Sequence, residues 1–241
     1  MRPNQIAILS LTLLFLLLAA CNSTAFYIQG SGVNKSAEFK NTDFDTISVS
    51  SLFKVYIEPS QDYQVTLTVD EKLIDFVRVE QNGRNLSIFT EGVMNIKNGD
   101  LTARIKMPVI EELDMSGMSI VKIAEGFDLD KELKIDISGM SKLQCIIRAR
   151  DIKLDISGNS YAEFSGTGRD LEARISGSSN CDMRKIRFRD VEIECSGMSK
   201  AYINLNGDLD AKASGLSEIY YTGVVNEQDI ETSGGAKIKQ L

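Results

Sequence analysis

The residues of this chain whose types could do chemistry come in rows. Ser-Gly pairs stand at Ser116-Gly117, Ser138-Gly139, Ser157-Gly158, Ser176-Gly177, Ser196-Gly197, Ser214-Gly215 and Ser233-Gly234, their glycines 22, 19, 19, 20, 18 and 19 residues apart. Seven equivalent hydroxyls argue for geometry rather than for a nucleophile, and the sequence has no His to serve as the usual base. With each Ser as position zero, position −2 reads Asp114, Asp136, Asp155, Arg174, Glu194 and Lys212, and position −4 reads Glu112, Lys134, Lys153, Glu172, Glu192 and Asp210. Three Asp at one repeat spacing offer oxygens for a Ca²⁺ ion or a carboxylate pair for glycoside hydrolysis. The neighbouring Lys134 and Lys153 give the plainer reading, a solvated face with its own charge compensation. Neither a catalytic residue, a metal nor a cofactor is expected.

Two other rows are candidate partner-binding surfaces. Arg148 and Arg150 precede Asp151, Arg169 precedes Asp170, and Arg187 and Arg189 precede Asp190. Ion pairs between repeats explain this ladder; a groove for anions or acidic glycans, with Arg150, Arg169 and Arg189 as contacts, is the alternative. Tyr56, Tyr202 and Tyr220 share position +6, where aromatic faces suit sugar rings or a protein partner, unless they reflect strand propensity alone. At +2, Met118, Met140, Met198 and Leu216 either turn inward to seal the corner or form an apolar ridge. Cys145, Cys181 and Cys195 fall on inward positions, as small apolar residues or, for Cys181 and Cys195, as a bridge between adjacent repeats.

The elements that position these rows follow from the apolar residues, which fall at −3, −1, +5 and +7. Ile135 and Ile137 then Leu143 and Cys145 fit this pattern, as do Leu154 and Ile156 then Ala162 and Phe164. That alternation is two short strands joined at a Ser-Gly corner. Seven pairs in one register cannot be hairpins, because each must present the same side to a shared core. The fold class is therefore all-β: a right-handed parallel β-helix of about seven to eight coils, each stacked about 4.8 Å above the last. Gly at +1 implies a corner with positive φ or no room for a Cβ, and Ser at zero and +3 implies hydroxyls that satisfy turn backbone.

Before the regular repeats, Ile47 to Ile57 superposes on Ile135 to Cys145 without a gap, Ser51 standing where the corner Gly is expected. Residues 60–108 read as an elaborated N-terminal coil or hairpin, with a tight turn at Gln81-Asn82-Gly83-Arg84. The last repeat carries Lys237 and Lys239, charges that either protect an open edge or pair with another chain.

The first residues supply an address. Met1-Arg2, an apolar run from Ile6 to Ala20, and Leu18-Ala19-Ala20-Cys21 form a signal peptide (1–20) ending in a lipobox. Cys21 is then the lipidated residue, carrying acyl chains such as palmitate, and 21–40 is an anchor and tether to the solenoid of 41–241, whose regular repeats span 109–241. Losing Arg2 moves the net charge from −7 to −8, so nucleic acid is not an expected partner.

Gly30-Ser31-Gly32, Phe44-Asp-Thr-Ile-Ser-Val, the strand around Tyr63-Gln-Val-Thr-Leu, Lys106-Met-Pro-Val-Ile and Leu113-Asp-Met-Ser-Gly-Met-Ser with its echoes occur in that order. Over residues 28–241 this series resembles the head-GIN domain family, autotransporter-adhesin-like proteins found as lipoproteins in Bacteroidetes-type envelopes. The resemblance implies a β-solenoid and supplies no catalytic residues. The combined expectation is a non-enzymatic envelope module for a polysaccharide or protein partner. An assembly or stress scaffold without glycan ligand and a polysaccharide-cleaving β-helix are the rivals, the last disfavoured by the lack of long loops to build a cleft. Asn22-Ser23-Thr24-Ala25 has no acidic cluster, which favours the periplasmic face of the outer membrane over the cell surface.

Overall fold

Alternating apolar residues that must all face one way leave the chain little choice but to coil. The computed structural model, which describes residues 27–92 and 95–241, is a parallel β-solenoid of about seven turns. Its first part holds β1 (Tyr27–Gln29), β2 (Asn34–Phe39), β3 (Thr46–Val49), β4 (Lys54–Pro59), β5 (Gln64–Asp70), β6 (Val77–Asn82), β7 (Asn85–Thr90), β8 (Asn95–Lys97) and β9 (Leu101–Met107). The repeats follow as β10 (Glu112–Met115), β11 (Ile120–Ile123), β12 (Asp128–Ile137), β13 (Lys142–Ile156), β14 (Tyr161–Ile175), β15 (Asn180–Arg187), β16 (Asp190–Cys195), β17 (Lys200–Ala213), β18 (Glu218–Thr232) and β19 (Lys237–Gln240).

The inward rows form the core. Leu86, Ile47, Leu113, Ile135 and Leu154 stack in register from coil to coil, and each is at most 1% exposed. From β13 onward one strand commonly runs from corner to corner, bending around a third side. In the ladder between β13 and β14 the partners step from Ala149↔Gly168 to Asp151↔Asp170, so Arg150 and Arg169 stand out at that bend. The corner hydroxyls close the turns from inside: the Oγ of Ser119, Ser141 and Ser217 donates to the carbonyl three residues earlier at 2.7, 2.9 and 2.8 Å.

Stack order and chain order part company near the N-terminus. The strands β7 and β9 pair in parallel with β3 and β4, and β3 and β4 pair on their other side with β10 and β11. Residues 85–107 thus form the outer coil although they come later in sequence. Antiparallel strands cover it: β6 on β7, β5 on β9, and β2 on β5.

This corrects one expectation. Residues 27–39, assigned to the tether, form β1 on β8 and β2 on β5. The edge strand β2 needs little apolar character because its pairing is backbone to backbone, and Phe39 alone packs on the core. Asp70 pins the link, accepting from Gly32 N–H at 2.9 Å, Ser31 Oγ at 3.2 Å and Lys72 N–H at 3.0 Å.

Candidate functional site

Alongside the stacked corners, the outward residues of the first strand line a trough of about 570 Å³ that crosses successive coils. Position −2 contributes Ser48, Asp114, Asp136, Asp155 and Arg174 in consecutive register. Ser50, Ser116, Ser138, Ser157 and Ser176 line its corner side, and Ser87 and Phe89 close its N-terminal end. Asp114 accepts from Ser48 Oγ at 3.2 Å. Burial, followed by the charges of Glu112 and Asp136, raises its carboxyl above the usual range.

Glu112, Asp114 and Asp136 offer carboxylate oxygens within 4.8 Å of one another. The cation at this cluster is the chain's own: Lys134 Nζ lies 2.5 Å from Glu112 and 2.9 Å from Asp136. Lys153 turns the other way, to Glu172 at 2.9 Å, which also holds Arg174 at 2.9 Å. Asp155 is left without an ion-pair partner among the described residues. The trough therefore presents acceptors and hydroxyls, an arrangement suited to a ligand rich in hydroxyl donors.

The rows singled out from sequence are in place but already engaged. Tyr202 and Tyr220 stack with centroids 5.2 Å apart and planes 15° from parallel. The guanidinium of Arg184 sits 4.7 Å from the Tyr202 centroid and Lys200 Nζ 5.8 Å from that of Tyr220. Tyr56 lies under Arg104 at 4.7 Å and shares the row but not the place, since Lys122, Gln144, Glu163 and Asp182 stand between it and Tyr202. Five coil steps separate them by about 24 Å.

Arg169 bridges Asp170 at 2.9 Å and Asp151 at 3.0 Å, and Arg189 bridges Asp190 at 2.8 Å and Asp170 at 3.2 Å. Arg150 lies 3.5 Å from Asp151. These are the ion pairs between coils that the spacing suggested.

Cys145, Cys181 and Cys195 are free and buried. Burial pushes all three thiols up, that of Cys195 to about 12, so none is a ready nucleophile. Met118, Met140, Met198 and Leu216 do not turn in: they are 43, 56, 64 and 65% exposed, because the Ser hydroxyls at +3 already fill the corner. The sequence did not show how the cap closes one end of the trough; Ser87 and Phe89 follow the Asn82-Gly83 turn, and the register of β7 on β3, which sets Ser87 against Ser48, appears only in the fold. Cys21 and the leader lie outside the described residues.

The same fold occurs in solved proteins of low identity. A "putative adhesin" from Bacteroides fragilis superposes with a TM-score of 0.81 at 18% identity, covering 89% of this chain and 100% of that one. A "putative lipid binding protein" from Parabacteroides distasonis gives 0.70 at 19%, covering 90% and 100%. A "putative adhesin" from Parabacteroides merdae gives 0.67 at 16%, covering 89% and 99%. No curated protein sequence matches the chain. Residues 43–224 match the family model described as "Putative auto-transporter adhesin, head GIN domain", and the chain belongs to that family.

Proposed function

We propose that this chain is a non-enzymatic, adhesin-like module of the cell envelope, held to the outer membrane by lipid on Cys21, and that its trough seats an extended polysaccharide. The observation that carries the reading is the run Asp114, Asp136, Asp155, three carboxylates in consecutive coils, with Lys134 paired to Asp136 and Arg174 next in the column after Asp155. Like charges directly opposite each other weaken a sheet, so such a run asks for a partner that a charge-balanced face would not need. Sugar hydroxyls donate well to ionised carboxylates, and a trough that crosses coils accommodates a linear chain. Family membership supports the adhesin-like role. The lipobox and the lack of acidic residues after Cys21 support attachment facing the periplasm.

Binding of the purified protein to a panel of envelope and host polysaccharides tests the ligand. Binding that falls at least tenfold in Asp155→Lys and holds in Tyr202→Ala is expected. No binding by the unsubstituted protein transfers the role to a ligand-free scaffold, and release of reducing sugars from the same panel overturns the non-enzymatic reading. Cys21→Ser should move the protein from the membrane to the soluble fraction. Protease added to intact cells should leave it uncut until lysis; digestion on intact cells would place it on the surface.

A further inference from the structure

The solenoid's two ends differ. The N-terminal coil is covered by β2, β5 and β6. At the other end β19 pairs only with Glu218 to Tyr221 of β18, and the outer edge of residues 222–232 has no strand on it among the described residues. Core rows break the surface there: Ile230 is 37% exposed, whereas Ala211 and Ile193 in the same row are 0 and 1%. Val224 and Leu241 are each 62% exposed.

The charges at this end are ordered about the last corner. Glu231 stands three residues before Gly234 and Lys237 three after; Asp229 stands five before and Lys239 five after; Ile230 and Ile238 stand four to either side. One row runs Lys200, Glu218, Lys237, with Nζ to carboxylate distances of 2.7 and 3.4 Å. The row across the corner runs Glu194, Lys212, Glu231, the last pair at 3.4 Å. Each alternates in sign, and each stops on the charge that the other needs next.

We propose that this open end pairs with the same end of a second copy, about a two-fold axis through the Gly234 corner. The operation sets the strand before the corner in one copy against β19 of the other, running antiparallel. Glu231 then faces Lys237, Asp229 faces Lys239 and Ile230 faces Ile238, each pair occurring twice. Both alternating rows continue across the junction, and the exposed inward side chains gain cover. The surface is self-complementary, as an isologous contact must be, and the backbone edges supply strand addition. This inference is independent of the ligand proposed for the trough.

Sedimentation velocity of the purified protein at low salt is the test. The unsubstituted protein should sediment as a species of about twice the monomer mass, and added salt should loosen it. Asp229→Lys with Glu231→Lys, and Lys237→Glu with Lys239→Glu, should each give monomers. An equimolar mixture of the two should return to the dimer, because every cross-copy pair is again of opposite sign. If a charge variant fails to fold, Ser233→Cys beside the axis should form a disulfide-linked dimer under oxidation that the unsubstituted protein does not. A monomeric unsubstituted protein, a dimer indifferent to both reversals, a mixture that stays monomeric, or a Ser233→Cys variant that does not cross-link overturns the proposal.

Discussion

Replacing Gly139 by Ala separates two reasons for a corner glycine that sequence alone leaves joined. The residue has φ +75°, and a Cβ there would lie 2.4 Å from the Gly117 carbonyl oxygen. That oxygen accepts the Met140 N–H at 2.8 Å, so it cannot retreat without opening the rung between coils. A left-handed backbone costs a non-glycine residue about 1–2 kcal/mol. A carbonyl pushed off its donor adds about 1–3 kcal/mol, so Gly139→Ala should lose about 2–5 kcal/mol. Gly83, at φ +59° with nothing within 4 Å of the site of a Cβ, isolates the backbone part. Ser51 shows that this part is tolerable: it holds φ +70° at the first corner, its hydroxyl accepting from Thr90 N–H at 3.2 Å. Guanidinium unfolding followed by far-ultraviolet circular dichroism reads both variants. Equal losses in Gly139→Ala and Gly83→Ala would refute the steric stacking of corners and leave backbone conformation as the whole reason.

Other outcomes follow from burial and charge. Ile137 is 2% exposed in an inward row, so Ile137→Asp buries an unpaired charge and should abolish the cooperative melt; a retained melt would mean that the inside-outside register is wrong. Cys145, Cys181 and Cys195 should stay silent to a thiol reagent until denaturant is added; rapid native labelling of any of them contradicts the packing. Burial would raise the Asp70 carboxyl, but donors from Ser31, Lys72 and Gly32 outweigh it and hold it below its usual value. Its stabilising contribution is therefore complete above the unfolded value of about 3.9 and fades as pH falls through the folded one; Asp70→Asn should flatten that acid limb, and an unchanged limb would count against the carboxylate. Asp136→Asn relieves the like-charge row, so stability should hold or rise by up to about 1 kcal/mol, while polysaccharide binding falls; a loss of stability would show that Asp136 is held for structure.

Much of the fold was legible because the alternation of period two fixes which side of each strand is inside. Ile135 and Ile137, once placed inward, force every later pair into the same register, and the Asn82-Gly83 turn marks the hairpin of β6 and β7. Alternation does not say which strand lies next in the stack. Residues 60–108 read as an elaborated coil at the N-terminal end, and they lie there; which of their strands, 85–107, form the outer coil on β3 and β4 does not follow from pattern, since any apolar strand fits that row. The strand β2 was hidden for a related reason: an exposed edge pairs through its backbone and leaves little apolar signal. The site was legible as rows but not as contacts. Which of Tyr202, Arg169 and Asp155 is already engaged depends on how far each side chain reaches, and only the last has neither an ion pair nor a cation–π contact among the described residues.

A solenoid converts sequence period into columns of neighbours about 4.8 Å apart, so each outward position is judged by what stands above and below it. Most columns here balance themselves: Lys153 on Glu172, Lys185 on Glu163, Lys200 and Lys237 on Glu218. Compensated columns hold coils together modestly and leave little charge for a ligand. A same-sign run also passes through Glu172, Glu192, Asp210 and Asp229, with Arg174 and Lys212 in the column beside it; two further places break the rule. The Asp114, Asp136, Asp155 column repeats one sign within an otherwise covered surface, where a small donor-rich ligand chain can lie along it. The rows ending at Glu231 and Lys237 alternate correctly but stop on an open edge, where only another strand with the opposite charges continues the pattern. The same column logic thus assigns the first place to a ligand and the second to a copy of the chain.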